Sequence, residues 1–147
     1  MAITVVGFPL GWMTCWTTGI DVDAATWKIA LATASYTPNV NTHDFFNDIT
    51  NELATASGYT AGGAALASPT VTYDSATGQV RFDFTDPSWT FAAALTWRYG
   101  IAYIDTAGAA STDPLMCLVD WGASQTVSGT YSVTIDPAGL FAVDFVP

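Results

Sequence analysis

The segment Tyr36–Gly63, YTPNVNTHDFFNDITNELATASGYTAGG, is the least strand-like part of the chain and the densest in turn residues and polar-aromatic signals. Strand-like runs flank it on both sides, so it reads as one long excursion between two strands of a single β domain. Pro38, Asn39 and Asn41 mark a loop. Thr42 or Asp44 can N-cap a short helix. Phe45, Phe46, Ile49 and Leu53 would give that helix one apolar stripe, and Gly58 would end it.

Working outward, Trp27–Thr33 (WKIALAT) is a strand. From Pro69 onward the pattern is that of an antiparallel sheet. Thr70–Tyr73 is a strand, and 74–78 has hairpin-loop chemistry with Gly78 suited to a positive φ. In Gln79–Phe84, Val80, Phe82 and Phe84 point one way, and Arg81 and Asp83 the other. Trp89–Phe91 is a short strand. Leu95–Ile104 is long and nearly apolar, and Gly100 in its middle predicts a bulge or a close approach. Leu115–Trp121 and Thr126–Ile135 follow, then a turn at 136–139, and Leu140–Val146 closes the sheet. Seven or eight strands at this spacing, with one or two short helices, predict an all-β fold: an antiparallel β-sandwich or barrel-like domain spanning 1–147.

Residues 1–20 are apolar but do not read as a targeting or spanning segment. No basic n-region precedes them, and Gly7, Pro9, Gly11 and several Thr interrupt the run before Asp21 and Asp23. They read as a core-covering or interface segment. Phe8, Trp12, Cys15, Trp16 and Gly19 fall at roughly helical spacing, which suggests a short buried helix; an irregular, partly extended segment is the alternative. Cys15 and Cys117 read as buried free thiols, with a single bridge between them as the alternative. The lack of a targeting signal points to synthesis and assembly in a cytoplasm.

Thirteen acids against three Lys and Arg give a net charge of −10. That balance disfavours nucleic acid and anionic membranes as direct partners, because both require cations. Only 11% of residues are charged, against about 25% in a typical soluble domain. The chain holds one histidine, His43, beside Asp44 and near Ser35, and there is no nucleophile-elbow motif. It reads as a polar pair at a helix start, not as part of a triad. Asp83 and Asp120, flanked by Phe82, Phe84, Val119 and Trp121, are the carboxylates an acidic sugar groove would use; solvated strand-face and turn positions explain them better. Asp44, Asp48, Asn51 and Glu52 offer hard oxygen ligands without calcium-loop spacing, and read as a wet helix face. No catalytic, metal or cofactor site is therefore expected. Six Trp, six Tyr and eight Phe are hard to fit in one small core, so some should sit at the surface or at an interface; a Trp-rich core with its polar ring ends hydrogen-bonded is the alternative. Trp12, Trp16, Trp89, Trp121, Phe45 and Phe46 are the candidates, and homo-oligomerisation is expected.

The order of short motifs resembles a family of small virion structural proteins of tailed bacteriophages. The matching pieces are Gly19–Asp23, Trp27–Leu31, Tyr36–Asn39, Thr42–Phe45, Thr50–Glu52, Gly58–Gly63, Val71–Asp74, Val119–Gly122 and Asp136–Phe141. The likeness runs from Gly19 to near the end; the Trp-rich start departs from it. The resemblance implies a virion component without enzymatic activity, assembled in the host cytoplasm. A capsid decoration or minor capsid protein that binds the major capsid or other virion proteins is the first expectation. A tail or fibre component that binds carbohydrate is the second.

Overall fold

Two long strands, β6 (Ser88–Ile104) and β7 (Leu115–Ser132), form an antiparallel ribbon that the rest of the chain is packed around. A computed structural model describes residues 3–144. Pairing runs from Ser88↔Ser132 to Tyr103↔Leu115. Register breaks lie between Phe91 and Leu95, Trp97 and Tyr99, and Ala102 and Tyr103. The sequence suggests four separate strands here. The structure joins them in pairs, because Ala92–Ala94 and the stretch after Trp121 are absorbed as irregularities inside a continuous ladder. Bulges of this kind bend a strand and add twist without ending it. Gly122 (φ +74°) and Gly129 (φ +87°) supply the left-handed backbone at those places.

The ribbon is the centre of a five-stranded sheet ordered β1-β7-β6-β2-β3, where β1 is Thr4–Gly7, β2 Trp27–Ala32 and β3 Ala64–Leu66. All pairings are antiparallel. β2 is buried on both faces. Trp27, Ile29 and Leu31 join one apolar cluster, and Ala30 and Ala32 join another. Gly100 lies opposite both Leu31 and Val119 in unbroken register. A Cβ there would come within 2.9 Å of the Trp121 ring, so the expected close approach is to an indole.

A second sheet, ordered β4-β5-β8, covers the first face; its strands are Thr70–Asp74, Gln79–Asp83 and Phe141–Asp144. Phe82 and Phe84 are buried and reach Trp27, with ring centroids 6.1 and 5.0 Å away. Arg81 turns outward to Asp74 at 2.6 Å. Gly78 has the expected positive φ of +71°. The result is the all-β sandwich that the strand spacing predicts. Helix α1 (Pro9–Thr18) sits on the same side and places Trp12 4.9 Å from Phe82. Pro9 opens the helix, where its missing N–H costs nothing. Gly19 closes it in a left-handed cap, and the N–H groups of Gly19 and Ile20 donate to the Cys15 carbonyl. The helical reading of residues 8–20 is the one the structure adopts. Cys15 and Cys117 are both free and buried, and the Cys15 Sγ faces the Met116 Sδ at 3.7 Å.

Residues 33–63 cover the opposite face. Tyr36 meets Tyr99 edge-on at 5.8 Å, and Phe46 stacks on Tyr103 at 4.2 Å. The helix expected from Thr42 to Gly58 does not form: the segment holds a single 3-10 turn, Phe46–Asp48. Its backbone groups are bonded to distant strands instead of to their own i−4 neighbours. Phe46 N–H donates to the Asp113 carbonyl, Leu115 N–H to that of Asp44, Leu53 N–H to that of Leu31, and Thr33 N–H to that of Asn51. Asn51 itself is left-handed (φ +57°), which a helix interior excludes. The apolar stripe is real, but it is split between the two faces: Phe46 and Ile49 pack on one, Leu53 on the other.

Gly58 and Gly63 pin this cover down. Both have positive φ, and a Cβ would lie 2.1 Å from the Thr90 carbonyl oxygen or 1.9 Å from that of Ile29. Gly63→Ala is expected to cost about 2–4 kcal/mol, from left-handed strain plus overpacking against backbone. Gly19→Ala, with nothing within 4 Å, is expected to cost only about 1 kcal/mol. Urea unfolding of the two variants measures the difference.

Burial pushes the Cys15 thiol up to about 11 and the Cys117 thiol up to about 12. The thiolate is the reactive form, so neither should react with iodoacetamide in the folded protein at neutral pH. Both should be labelled in guanidinium chloride, as intact-mass spectrometry would show.

Candidate functional site

Among the described residues, the exposed large apolar side chains are Ile3, Val5, Val6, Met13, Trp16 and Tyr73. All but Tyr73 belong to β1 and α1 or directly precede β1. Trp16 is 65% exposed, whereas none of the other five indoles exceeds 7%. The aromatic surplus is thus mostly consumed inside the chain. Trp89 is buried beside Phe91 and Tyr131, and Trp121 is buried edge-on to Trp97 but forms one wall of a surface cavity beside Val5. Trp12 is buried but reaches the surface as a groove wall. Phe46 is half-buried against Tyr103, and Phe45 is half-buried and bridges to Pro114.

The four outer strands of the two sheets are β1, β3, β4 and β8. Native edges are blunted by brevity, charge or proline. β3 has three residues, and β4 and β8 each end in an aspartate. β1, TVVG, has no charge and no proline. Its outward polar groups can be assigned. Phe8 N–H donates to the Met116 carbonyl, and this register continues as Val6↔Leu118 and Thr4↔Asp120. Thr4 and Val6 therefore bond toward β7, and alternation leaves the N–H and C=O of Val5 and Gly7 facing away from the sheet.

β1 runs beside β8, with Gly7 against the Phe141 ring. Two apolar cavities open beside β1. The larger, about 380 Å³, lies between α1 and β8 and is walled by Pro9, Trp12, Trp16, Phe141 and Val143. The smaller, about 190 Å³, is walled by Ile3, Val5, Trp121, Ile135 and Leu140, with Asp136 at its margin. Sequence reading finds Trp12 and Trp16 here. It places Ile3 and Val5 in an interface or core-covering segment without singling them out, and misses Phe141 and Val143, because nothing local distinguishes an edge strand from a central one. The uncharged run before Pro9 is the one available signal.

The three Lys and Arg are each held by a carboxylate: Lys28 by Asp105 at 2.6 Å, Arg81 by Asp74 at 2.6 Å, and Arg98 by Asp120 at 2.9 Å. The Arg98 pair is bidentate, with Nη2 to Oδ2 at 3.0 Å, and Gly122 N–H also donates to Asp120. Asp83 instead accepts from the Phe84 N–H. The two carboxylates considered for a sugar groove therefore sit in different sheets with separate structural duties. His43 Nδ1 is 2.8 Å from the Tyr36 hydroxyl, so its partner is a phenol and not Asp44. Asp48 accepts from the Asp44 N–H, and Glu52 accepts from the Tyr59 hydroxyl and the Gly62 N–H. No group of three His, Cys, Asp or Glu among the described residues is placed to hold a metal ion.

A third groove, about 370 Å³, is lined by Thr14, Thr18, Phe45, Thr106, Ser111 and Thr112. Its threonine hydroxyls are engaged within the chain, Thr14 with the Leu10 carbonyl, Thr18 with that of Thr14, and Thr106 with Thr112 and Asp113.

No protein-family model, no curated protein and no solved structure matches this chain. Among the described residues, no helix is long and apolar enough to cross a membrane.

The ion pairs predict an acid-sensitive fold. Arg98 holds Asp120 below the ordinary carboxylate range, Lys28 does the same for Asp105, and the Ala76 N–H is the main cause for Asp74. A depressed folded pKa gives stability that is present above the unfolded value of about 4 and is lost as pH falls through the folded one. Asp44 works in the opposite sense, raised by burial and then by Asp48. The three depressed groups outnumber it. The melting temperature should therefore fall as pH drops below about 4, and Asp120→Asn should shrink that drop. Circular-dichroism melts across an acid pH series check both.

Proposed function

We propose that this chain is a structural protein of a tailed-bacteriophage virion, a capsid decoration or minor capsid protein with no enzymatic role. It works by contact with the major capsid or other virion proteins. The supporting observation is the concentration of exposed apolar side chains on β1 and α1, with a groove beside them, on a chain otherwise poor in charge. Clustered apolar exposure of this kind marks interaction sites. The motif order that resembles virion proteins supplies the setting. Self-association belongs to the same reading, because repeated subunits make repeated contacts on a shell.

The second reading, a tail or fibre component that binds carbohydrate, has the hydroxyl-lined groove beside Phe45 as its site. With those threonines bonded internally, sugar hydroxyls would have to displace existing hydrogen bonds. The first reading is preferred for that reason.

Quantitative mass spectrometry of purified particles tests the proposal. The chain should be present at a copy number of tens to hundreds, on the order of the shell protein's symmetry. Particles assembled with Trp16→Asp should carry several-fold fewer copies. A chain absent from particles overturns the reading, and a handful of copies per particle moves it to the tail or fibre.

A further inference from the structure

We infer that the outer edge of β1 is a docking site for an extended segment of a different protein, apolar at alternate positions and flanked by Lys or Arg. The segment would add a strand to the five-stranded sheet. This rests on the protein-contact reading above and names the partner's chemistry.

Three observations carry it. First, the Val5 and Gly7 peptide groups face away from the sheet and present one donor and one acceptor each, in the spacing of an antiparallel ladder. A strand is the ligand that satisfies such a row, and its alternate side chains supply specificity. Second, Ile3, Val5 and Gly7 share one face of the strand, and cavities open along it: one of about 190 Å³ lined by Ile3 and Val5, and one of about 380 Å³ lined by Gly7 and Phe141. Alternate side chains of an added strand, on that same face, would lie over these openings. Third, the charge selects the partner. The chain carries −10, and every Lys and Arg already has a carboxylate. A second copy would bring another −10 and no spare Lys or Arg. A basic segment is instead attracted by the field and held by the edge.

The test uses the full chain and two synthetic peptides of alternating Val and Thr, one flanked by lysines and one by glutamates. Amide hydrogen exchange at Val5 and Gly7 is followed by NMR, and Trp16 emission by fluorescence. The lysine peptide should slow exchange at both amides by roughly tenfold or more and shift Trp16 emission to the blue. The glutamate peptide should do neither. Val5→Pro removes an outward N–H, which an edge strand tolerates, so it should keep the melting temperature and lose the response. Val6→Pro, which removes a bond to β7, should lower the melting temperature. Should Val5→Pro fail to fold, Val5→Lys places a repelling cation on the same edge and should abolish the response to the lysine peptide.

The inference is overturned if the lysine peptide leaves Val5 and Gly7 unchanged, or if both peptides protect them equally. It is also overturned if the two amides are already protected without peptide. In that case sedimentation separates a second copy on the edge from the chain's own residues. None of these results bears on whether the protein is found in particles.

Discussion

The central sheet is apolar on both faces, and almost everything else in the chain answers to that fact. β2 and the adjoining halves of β6 and β7 bury Trp27, Ile29, Leu31 and Val119 toward one side and Tyr99, Ile101, Tyr103 and Leu118 toward the other. Each such side chain is worth about 1.5–3 kcal/mol only if water is kept off it. The sheet therefore needs two covers. One is the small sheet with α1; the other is the long irregular segment after β2. The second cover makes little secondary structure of its own because its peptide groups serve the edges and ends of the sheet beneath it. The Tyr59 hydroxyl illustrates this. It accepts from the Leu31 N–H at 3.0 Å and donates to Glu52 at 2.8 Å, tying the cover to β2 through a side chain.

This explains which parts of the fold were legible. Strands with one wet face, such as Gln79–Asp83, show their alternation directly, and their facing is as the sequence says. β6 and β7 are buried through on one half and alternate or lie exposed on the other, so each reads as two fragments where the pattern changes. Ala92–Ala94 looks like a break in a one-dimensional pattern; in the sheet it is a bulge that keeps the ladder continuous. The segment from Thr42 to Leu53 fails differently. Its apolar spacing matches a helix by coincidence, since the four residues pack in two directions. Single-sequence periodicity cannot tell one stripe from two half-stripes on opposite faces.

The candidate site was legible in part for a related reason. Trp16 stands out because it sits one turn after Trp12 at the margin of the helix's buried face, 65% exposed with its ring 6.3 Å from that of Trp12. The remaining surplus of aromatics has a simpler origin than association. Four buried indoles pack against Phe or Tyr inside one chain, Trp97 at 4.8 Å from Tyr131 and Trp12 at 5.4 Å from Phe141 among them, and the fifth, Trp121, meets Trp97 edge-on. The core pays for this, since the buried indole N–H groups of Trp89 and Trp97 have no hydrogen-bond partner among the described residues, at about 1–3 kcal/mol each. Composition counts rings; it does not say how many a sandwich can hold between two sheets and a helix.

Charge and edge then act together to define what the surface can meet. With its cations tied into intramolecular pairs, the protein offers acceptors and apolar surface, and no Lys or Arg to an anionic partner. An edge strand without charge is ordinarily a route to self-aggregation. Here a net charge of −10 works in the same direction as edge lysines elsewhere, because it opposes the approach of two such edges. The same field does not oppose a basic segment. A bare β1 edge is therefore more tolerable on an acidic chain, because the net charge disfavours a second copy at that edge while leaving contacts through other faces open.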